Sequence, residues 1–367
     1  MKKIVYLTFN DAPSGIYSGQ VIDVCRFWKE QFNYDVQLIA FISLRGFEEN
    51  KKKITSQFPG AIVLRMFPKT RNWKLNRFLL SVKLRKIKPD VIVARGPFAT
   101  LLALNFKPKS KICFDARGAY AAELLEYNVV PDEKVKLAIP GIEKQAVLES
   151  NFRLAVSEKL VKYWNREYNY RGKEHVVIPC TLNSTAFLRS EKMGNKPSAD
   201  FVQLVYSGSS ADWQSFTALD DAMLLLMQKQ NNLHIILLAK TLPDTMKIRT
   251  QFPQRVRQLW LKPEEVKSVL ETCDYGWLVR EASVTNAVAS PVKFAEYLSA
   301  GLKVIISEGL GDYSEFVKKH DAGIIYHTDQ FPLLNVVSQQ EKVRMQTLAL
   351  ANFSKEIYME QYKKMLE

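Results

Sequence analysis

Apolar residues along this chain gather in short runs broken by polar turns. In the first half the runs are "KIVYLTF", "YDVQLIAFIS", "AIVLRMF", "DVIVA", "KICFDARG", "FRLAVS" and "HVVIP"; in the second they are "FVQLVYSG", "LHIILLAK", "RQLWL", "YGWLVR", "KVIIS" and "AGIIY". Many are continuous rather than alternating, which is the pattern of parallel strands covered on both faces. Between them lie segments of helical period, such as "IDVCRFWKEQ", "PEEVKSVLETC" and "PVKFAEYLSA". Alternating strands and helices predict an α/β protein with parallel sheets and right-handed crossovers.

The rhythm breaks once, at "RSEKMGNKPSAD", which is polar and carries Gly and Pro without apolar periodicity. The expected organisation is two doubly wound, Rossmann-like domains facing a cleft: residues 1–188, a linker at 189–200, and a second domain at 201–345. The helical end, 346–367, is expected to pack back toward the first domain. A length of 367 residues agrees with two cores rather than one. In open α/β sheets ligands bind outside the carboxyl ends of strands, so site residues belong at strand tips.

Composition adds a partner class. The net charge of +14 implies an anionic partner: nucleic acid, an anionic membrane surface or a phosphorylated ligand. The four cysteines form no C-x-x-C pair, which argues against a zinc site or a disulfide framework and fits a reducing, cytoplasmic compartment. The start "MKKIVYLTFN" reads as a first strand rather than a signal peptide, and no apolar stretch is long enough to span a bilayer. There is no P-loop, no G-x-S-x-G and no H-E-x-x-H, and "GLGDYS" lacks the third small residue of a dinucleotide fingerprint. The four histidines form no pair at metal spacing and no D-x-D is present, so neither a metal nor another cofactor is expected.

The segment "SPVKFAEYLSAGLKVIIS" carries the sharpest chemistry. Ser290 suits a helix N-cap, Pro291 the first helical position and Gly301 the position after the last turn. Lys293 then falls in the first turn, where the helix dipole disfavours a cation by about 0.3–1 kcal/mol. A phosphate at that terminus would offset both the dipole and the ammonium. Glu296, one turn on, is far enough from such a phosphate to bind a ribose diol. The competing reading is a solvated Lys293 and an idle Glu296.

"NAVASPVKFAEYLSAGLKVIISEGLGD" resembles the donor-site segment of GT-B glycosyltransferases of the large retaining family 4 type. It is similar to a subset with the signature S-P-x-K-x-x-E-Y-x-x-x-G, found among bacterial surface-polysaccharide transferases; "CDYGWLVRE" and "VYSGSSADWQSF" resemble the same subset. The resemblance implies a hexosyltransferase that takes a sugar from a nucleotide-diphosphate donor, with retention, for O-antigen or capsule synthesis. It matches Glu296 to the second glutamate of an E-x7-E pattern, which holds the ribose. The first glutamate falls at Val288 and is missing; Asn286 or Glu281 could substitute near the sugar. Lys293 and the Ser290 turn match the phosphate side, and Arg280 is a candidate diphosphate clamp whose competing reading is a surface salt bridge.

The turn Ser207-Gly208-Ser209 could offer backbone N–H groups to an anion. Trp213 and Gln214 stand where many family members carry a basic pair, and Trp213 could equally be packing. Gly15 and Gly19 fall where the family places a glycine loop facing the donor phosphates. In "FDARGAYAAE", Asp115 and Arg117 lie two apart at a strand tip and read as sugar or acceptor ligands, or as an internal pair that pins the loop.

The last feature is "RNWKLNRFLLSVKLRKIKP". Leu75, Phe78, Leu79 and Val82 follow helical spacing, and Arg71, Lys74, Arg77, Lys83, Arg85, Lys86 and Lys88 supply seven positive charges with no acid between. This resembles an interfacial helix on anionic lipid, which would place the protein peripherally on the inner face of a membrane. Alternatively its apolar stripe faces the core. The expected partners are thus a nucleotide-sugar donor, a glycan or lipid-linked acceptor, and an anionic membrane met through residues 71–88, with no nucleic acid. The alternatives are a sugar-nucleotide epimerase of the same shape and a non-catalytic binder of anionic polymer.

Overall fold

The computed structural model describes residues 1–67, 70–106, 109–129, 132–188, 200–208, 216–240, 246–327 and 333–367. The thirteen apolar runs correspond to the thirteen strands among the described residues. The first seven are β1 (Lys3–Phe9), β2 (Asp35–Ile42), β3 (Ile62–Arg65), β4 (Val91–Arg95), β5 (Lys111–Ala116), β6 (Phe152–Ala155) and β7 (His175–Val177). The remaining six are β8 (Val202–Ser207), β9 (Leu233–Leu238), β10 (Val256–Leu259), β11 (Tyr275–Leu278), β12 (Lys303–Ser307) and β13 (Gly323–Tyr326). Two sheets form, ordered β3-β2-β1-β4-β5-β6-β7 and β10-β9-β8-β11-β12-β13. Every pairing is parallel. Each is a doubly wound Rossmann-like sheet that reverses its winding at one point, between β1 and β4 in the first and between β8 and β11 in the second.

The central strands are buried on both faces because helices cover both. β1 shows one exposed residue followed by six buried, and β11 is buried throughout. Glycines admit two close contacts. A Cβ at Gly276 would fall 2.2 Å from the Tyr297 ring, and one at Gly323 would fall 1.9 Å from the Val304 carbonyl oxygen.

The chain divides into Met1–Thr181 with Tyr358–Glu367, and Leu182–Ile357. This corrects two expected boundaries. The first unit ends at 181 rather than 188, because Leu182 is bound into the second: its N–H donates to the Phe353 carbonyl at 2.8 Å and its carbonyl accepts from the Lys355 N–H at 3.2 Å. The expected linker lies, but for Asp200, outside the described residues.

The helical end is not one element at 346–367. Gln339–Phe353 belongs to the second unit, where Met345, Ala349 and Phe353, at spacings of four, pack into its core. The chain is extended at Ser354, and a separate helix, Met359–Leu366, sinks Tyr362, Met365 and Leu366 into the core of the first unit. No helix among the described residues is long and apolar enough to cross a membrane.

The basic segment forms a 3-10 stretch, Thr70–Leu75, and the helix Asn76–Ile87. Its core-facing side is Asn76, Leu80, Ser81 and Leu84. The alternative in which Leu75, Phe78 and Val82 face the core is thereby excluded: these three stand 54%, 72% and 49% exposed.

Candidate functional site

The helix Val292–Ser299 is the centre of the second unit's strand-end cluster. Its far end is a Schellman stop: Gly301 has φ +88°, its N–H reaches the Leu298 carbonyl at 2.9 Å, and the Leu302 N–H reaches the Tyr297 carbonyl at 3.0 Å. Its near end is different from the sequence reading. Pro291, not Ser290, occupies the N-cap (φ −65°, ψ 123°), and no side chain caps the helix. Ser290 is buried instead, its hydroxyl 2.7 Å from the Tyr313 hydroxyl, while the Tyr313 ring stacks on Phe294 at 4.2 Å and 10°. The Phe294 N–H donates to the Pro291 carbonyl at 3.1 Å, and among the described residues no side chain accepts from the Val292 and Lys293 N–H groups.

Lys293 stands in that turn with no acid beside it. Among the described residues its ammonium makes no ion pair or hydrogen bond. Burial lowers its pKa and Arg280 lowers it further, against the pull of Glu296. Glu296 is raised by burial, and Lys293 only partly opposes this. Both shifts describe a desolvated pair in which burial outweighs the mutual attraction. Two cations and a helix N-terminus thus leave a net positive field at one spot.

Arg280 follows β11. Its backbone N–H donates to Ser307 Oγ at 3.2 Å, and its Nη1 donates to Asn286 Oδ1 at 3.2 Å. Asn286 sits in the one-turn helix Val284–Ala287, capped by Ser283 Oγ at 3.1 Å. Its Nδ2 donates to the Glu281 carbonyl at 3.0 Å, and its own carbonyl accepts from Gly311 N–H at 3.1 Å. Asn286 is corrected from a donor-sugar ligand to a brace for Arg280, because its buried amide is committed on both sides. Gly311 (φ +49°) closes the loop from behind: a Cβ there would meet the Ala289 carbonyl oxygen at 2.0 Å. "GLGD" therefore buttresses the segment before Lys293. Val288, where the missing glutamate would fall, is buried at 4% exposure.

The small-residue turn after β8 also differs from its reading. The Ser207 N–H donates to the Tyr297 hydroxyl at 3.0 Å, and the Gly208 N–H donates to the Leu238 carbonyl at 3.1 Å. Neither amide is available to an anion, so the assignment of these two as backbone anion donors is corrected. Tyr297 is a residue the sequence reading did not assign, since its acceptor role comes from a contact ninety positions apart. Ser209, Trp213 and Gln214 lie outside the described residues.

In the first unit the strand tips carry a closed charge network. Asp115 is 1% exposed, with Arg117 Nε 2.9 Å from Oδ1, Arg95 Nη1 3.8 Å from Oδ2, and the Tyr6 hydroxyl donating to the same oxygen. Arg95 Nε lies 3.2 Å from Asp11 Oδ2, and Arg117 Nη2 donates to the Gln20 carbonyl at 3.4 Å. Burial works against the Arg117 charge, but Asp115 and Tyr6 outweigh it and raise its pKa; burial raises Asp11, opposed by Arg95. These ion pairs support the internal-pair reading of Asp115 and Arg117, although Asp115 Oδ1, Arg117 Nε and Arg95 Nη1 are buried without a hydrogen-bond partner among the described residues. Asp11, Arg95 and Tyr6, also absent from the sequence reading, complete the network.

Gly15 opens a short turn, Gly15–Tyr17, capped by Ser14 and followed by a π-helical turn, Ser18–Ile22. A Cβ at Gly15 would meet nothing within 4 Å and its φ is not positive, so neither backbone nor packing requires glycine there. Among the described residues no group of three His, Cys, Asp or Glu side chains is placed to hold a metal ion.

No family model and no curated protein matches the chain. Solved structures match over its whole length. The lipopolysaccharide outer core galactosyltransferase WaaB, in its apo form, superposes with a TM-score of 0.70 at 13% identity, covering 99% of this chain and 99% of that one. Sucrose-phosphate synthase (tll1590) from Thermosynechococcus elongatus gives 0.69 at 13%, covering 100% and 99%. A Listeria monocytogenes structure described as a UDP-N-acetylglucosamine 2-epimerase gives 0.56 at 10%, covering 100% and 91%. The class these likenesses define is the GT-B fold. At such identities they show the fold and leave the reaction to the site.

Proposed function

We propose that the chain is a glycosyltransferase that moves a hexosyl group, with retention, from a nucleotide-diphosphate sugar to a glycan or lipid-linked glycan of a bacterial surface polysaccharide such as O-antigen or capsule. One observation carries the reading: the uncapped N-terminus of Val292–Ser299 holds an unpartnered Lys293 with Arg280 close enough to repel it. An anion bound there would offset both the dipole and the ammonium. A diphosphate would accept from the first-turn amides and meet both cations, and Glu296, one turn along, would take the ribose hydroxyls.

Bond cleavage in a nucleotide sugar builds charge on the leaving phosphate. Groups fixed in advance around that phosphate lower the barrier without rearranging. Lys293, Arg280 and the helix amides would do this without a resident metal, and the leaving phosphate itself would take the acceptor's proton. The exposed Leu75, Phe78 and Val82, rimmed by unpaired cations, support an approach to anionic lipid at residues 71–88. That position agrees with a lipid-linked acceptor and a peripheral place on the inner membrane face.

The test is a thermal-shift screen of UDP, GDP and TDP followed by turnover with donor and acceptor. Stabilisation by one nucleotide diphosphate that Lys293→Met abolishes supports the reading; undiminished turnover in that variant ends it. The likeness to an epimerase structure supplies the second reading. Interconversion of a 2-epimeric nucleotide sugar without acceptor would establish it instead.

A further inference from the structure

A cavity of about 540 Å³ opens in the first unit between the Thr70–Leu75 stretch, the helix Gly96–Phe106 and the helix Glu133–Glu149. The volume lies within the range of small-molecule sites. The cavity is walled by helices that cover the sheet, not by strand tips, so it is separate from the charge network at Asp115 and from the helix terminus at Lys293.

Its walls have two characters. Arg71, Lys74 and Lys134 bring three cations, and Asn105 adds an amide. Trp73 and Ile142, both buried, supply an apolar floor. Among the described residues none of the three cations has an acidic partner. Lys134 is the most telling. It stands in the first turn of a 17-residue helix, whose Asp132 cap already accepts from its backbone N–H at 3.0 Å. The dipole disfavours a cation there as it does at Lys293. The neighbouring surface is apolar where solvent would favour polar residues: Leu75 on one wall's element, Phe78 and Val82 on the helix Asn76–Ile87 that follows it, and Leu137, beside Ala138 of the lining and 83% exposed, on another wall.

Unneutralised cations around an apolar floor, continuous with an exposed apolar surface, match one kind of ligand. We infer that the cavity binds the phosphate-bearing head of an anionic amphiphile. Its phosphate would lie against Arg71, Lys74 and Lys134, and its chain would run over Leu75, Phe78 and Leu137. This deepens and rests on the lipid contact proposed above for residues 71–88, and it is independent of the donor site because its residues all belong to the first unit. The shared chemistry is a phosphate ester, whose source is either a lipid headgroup or a soluble ester.

The experiment measures binding of the full chain to phosphatidylcholine vesicles with and without phosphatidylglycerol, with glycerol phosphate as soluble competitor. Nucleotide-dependent stabilisation is recorded in parallel. Wild type is expected to sediment with the anionic vesicles only. Lys134→Ser should weaken binding about fivefold, the worth of one cation near a charged surface, while leaving the melting temperature unchanged or raised. Ala138→Phe fills the cavity without altering charge and should weaken vesicle binding at least as much; Gln145→Trp is the second filling variant should the first misfold.

Failure of millimolar glycerol phosphate to displace the protein assigns the phosphate to lipid, and full displacement assigns it to a soluble ester; both uphold the cavity. Unchanged binding in folded filling variants, with loss only in Lys134→Ser, overturns it in favour of diffuse attraction. Binding to neither probe overturns it outright. Preferential retention on single-stranded nucleic acid that both kinds of variant lose overturns the amphiphile. Because nucleotide stabilisation is read separately, loss of the cavity proposal leaves the transferase reading standing, and the reverse.

Discussion

The strand tips of the two sheets are both crowded with charge, and the two crowds are opposite in kind. In the first unit Asp11, Arg95, Asp115 and Arg117 alternate in sign and contact one another, with Tyr6 bonded to Asp115 Oδ2. In the second, Lys293 and Arg280 share a sign, and the nearby Glu296 forms no ion pair with Lys293. A buried charge costs several kcal/mol unless it is compensated. Compensation from within the chain marks architecture. Lys293 makes no ion pair or hydrogen bond among the described residues, and at a helix end that adds its own positive potential such a cation marks a place suited to something outside the chain. Equal richness in charged residues is thus no guide to function; the state of pairing is.

The contrast can be broken most severely at Asp115. Asp115→Asn keeps the shape and removes the charge that holds Arg117 and Arg95, so urea denaturation should show a loss of about 3–5 kcal/mol. Nucleotide binding should survive wherever the protein remains folded. A mild effect would mean that the network is not structural.

Next in size is Lys293→Met. Loss of one preorganised cation at the leaving phosphate should cut kcat by about a hundredfold or more. The ligand-free variant should at the same time be more stable, by up to about 1 kcal/mol, because a cation has left the unfavourable end of a dipole. No such gain is expected at the first unit's strand tips, where Arg95 and Arg117 lie against Asp11 and Asp115.

Tyr297→Phe is expected to cost about 1–3 kcal/mol, since the Ser207 N–H loses its acceptor. Weakened nucleotide affinity should accompany it if the Tyr297 hydroxyl holds the β8 tip against the site.

The smallest effect is in the pH dependence. Lys293 has a folded pKa below its unfolded value. Between the two, the unfolded chain holds the extra proton, so stability rises with pH across that alkaline interval. Chemical denaturation at stepped pH should show this rise in wild type and a smaller one in Lys293→Met. Saturating nucleotide should also shrink it, because a bound phosphate restores the ammonium.

Most of the fold was legible because its signal is local. A parallel strand covered on both faces must be apolar along its length, and "KIVYLTF" or "DVIVA" announces that without reference to any other part of the chain. The Schellman stop at Gly301 was equally readable, since it depends on one residue's freedom at positive φ. The site was legible in its residue types and much less in their roles. Ser290 looks like a cap until Tyr313 takes its hydroxyl, and the Ser207 amide looks available until Tyr297, ninety residues away in sequence, accepts from it. Asp115 looks like a ligand until Tyr6, 109 positions earlier, and two arginines close around it.

The sequence alone determined two doubly wound parallel sheets and an oddly placed lysine, because burial pattern and helix-end electrostatics act over a few residues. Tertiary structure alone decided which polar groups remain to be used. Hydrogen-bond acceptors and counter-charges arrive from strands and helices far along the chain, and a side chain is available to a ligand only when none of them reaches it first.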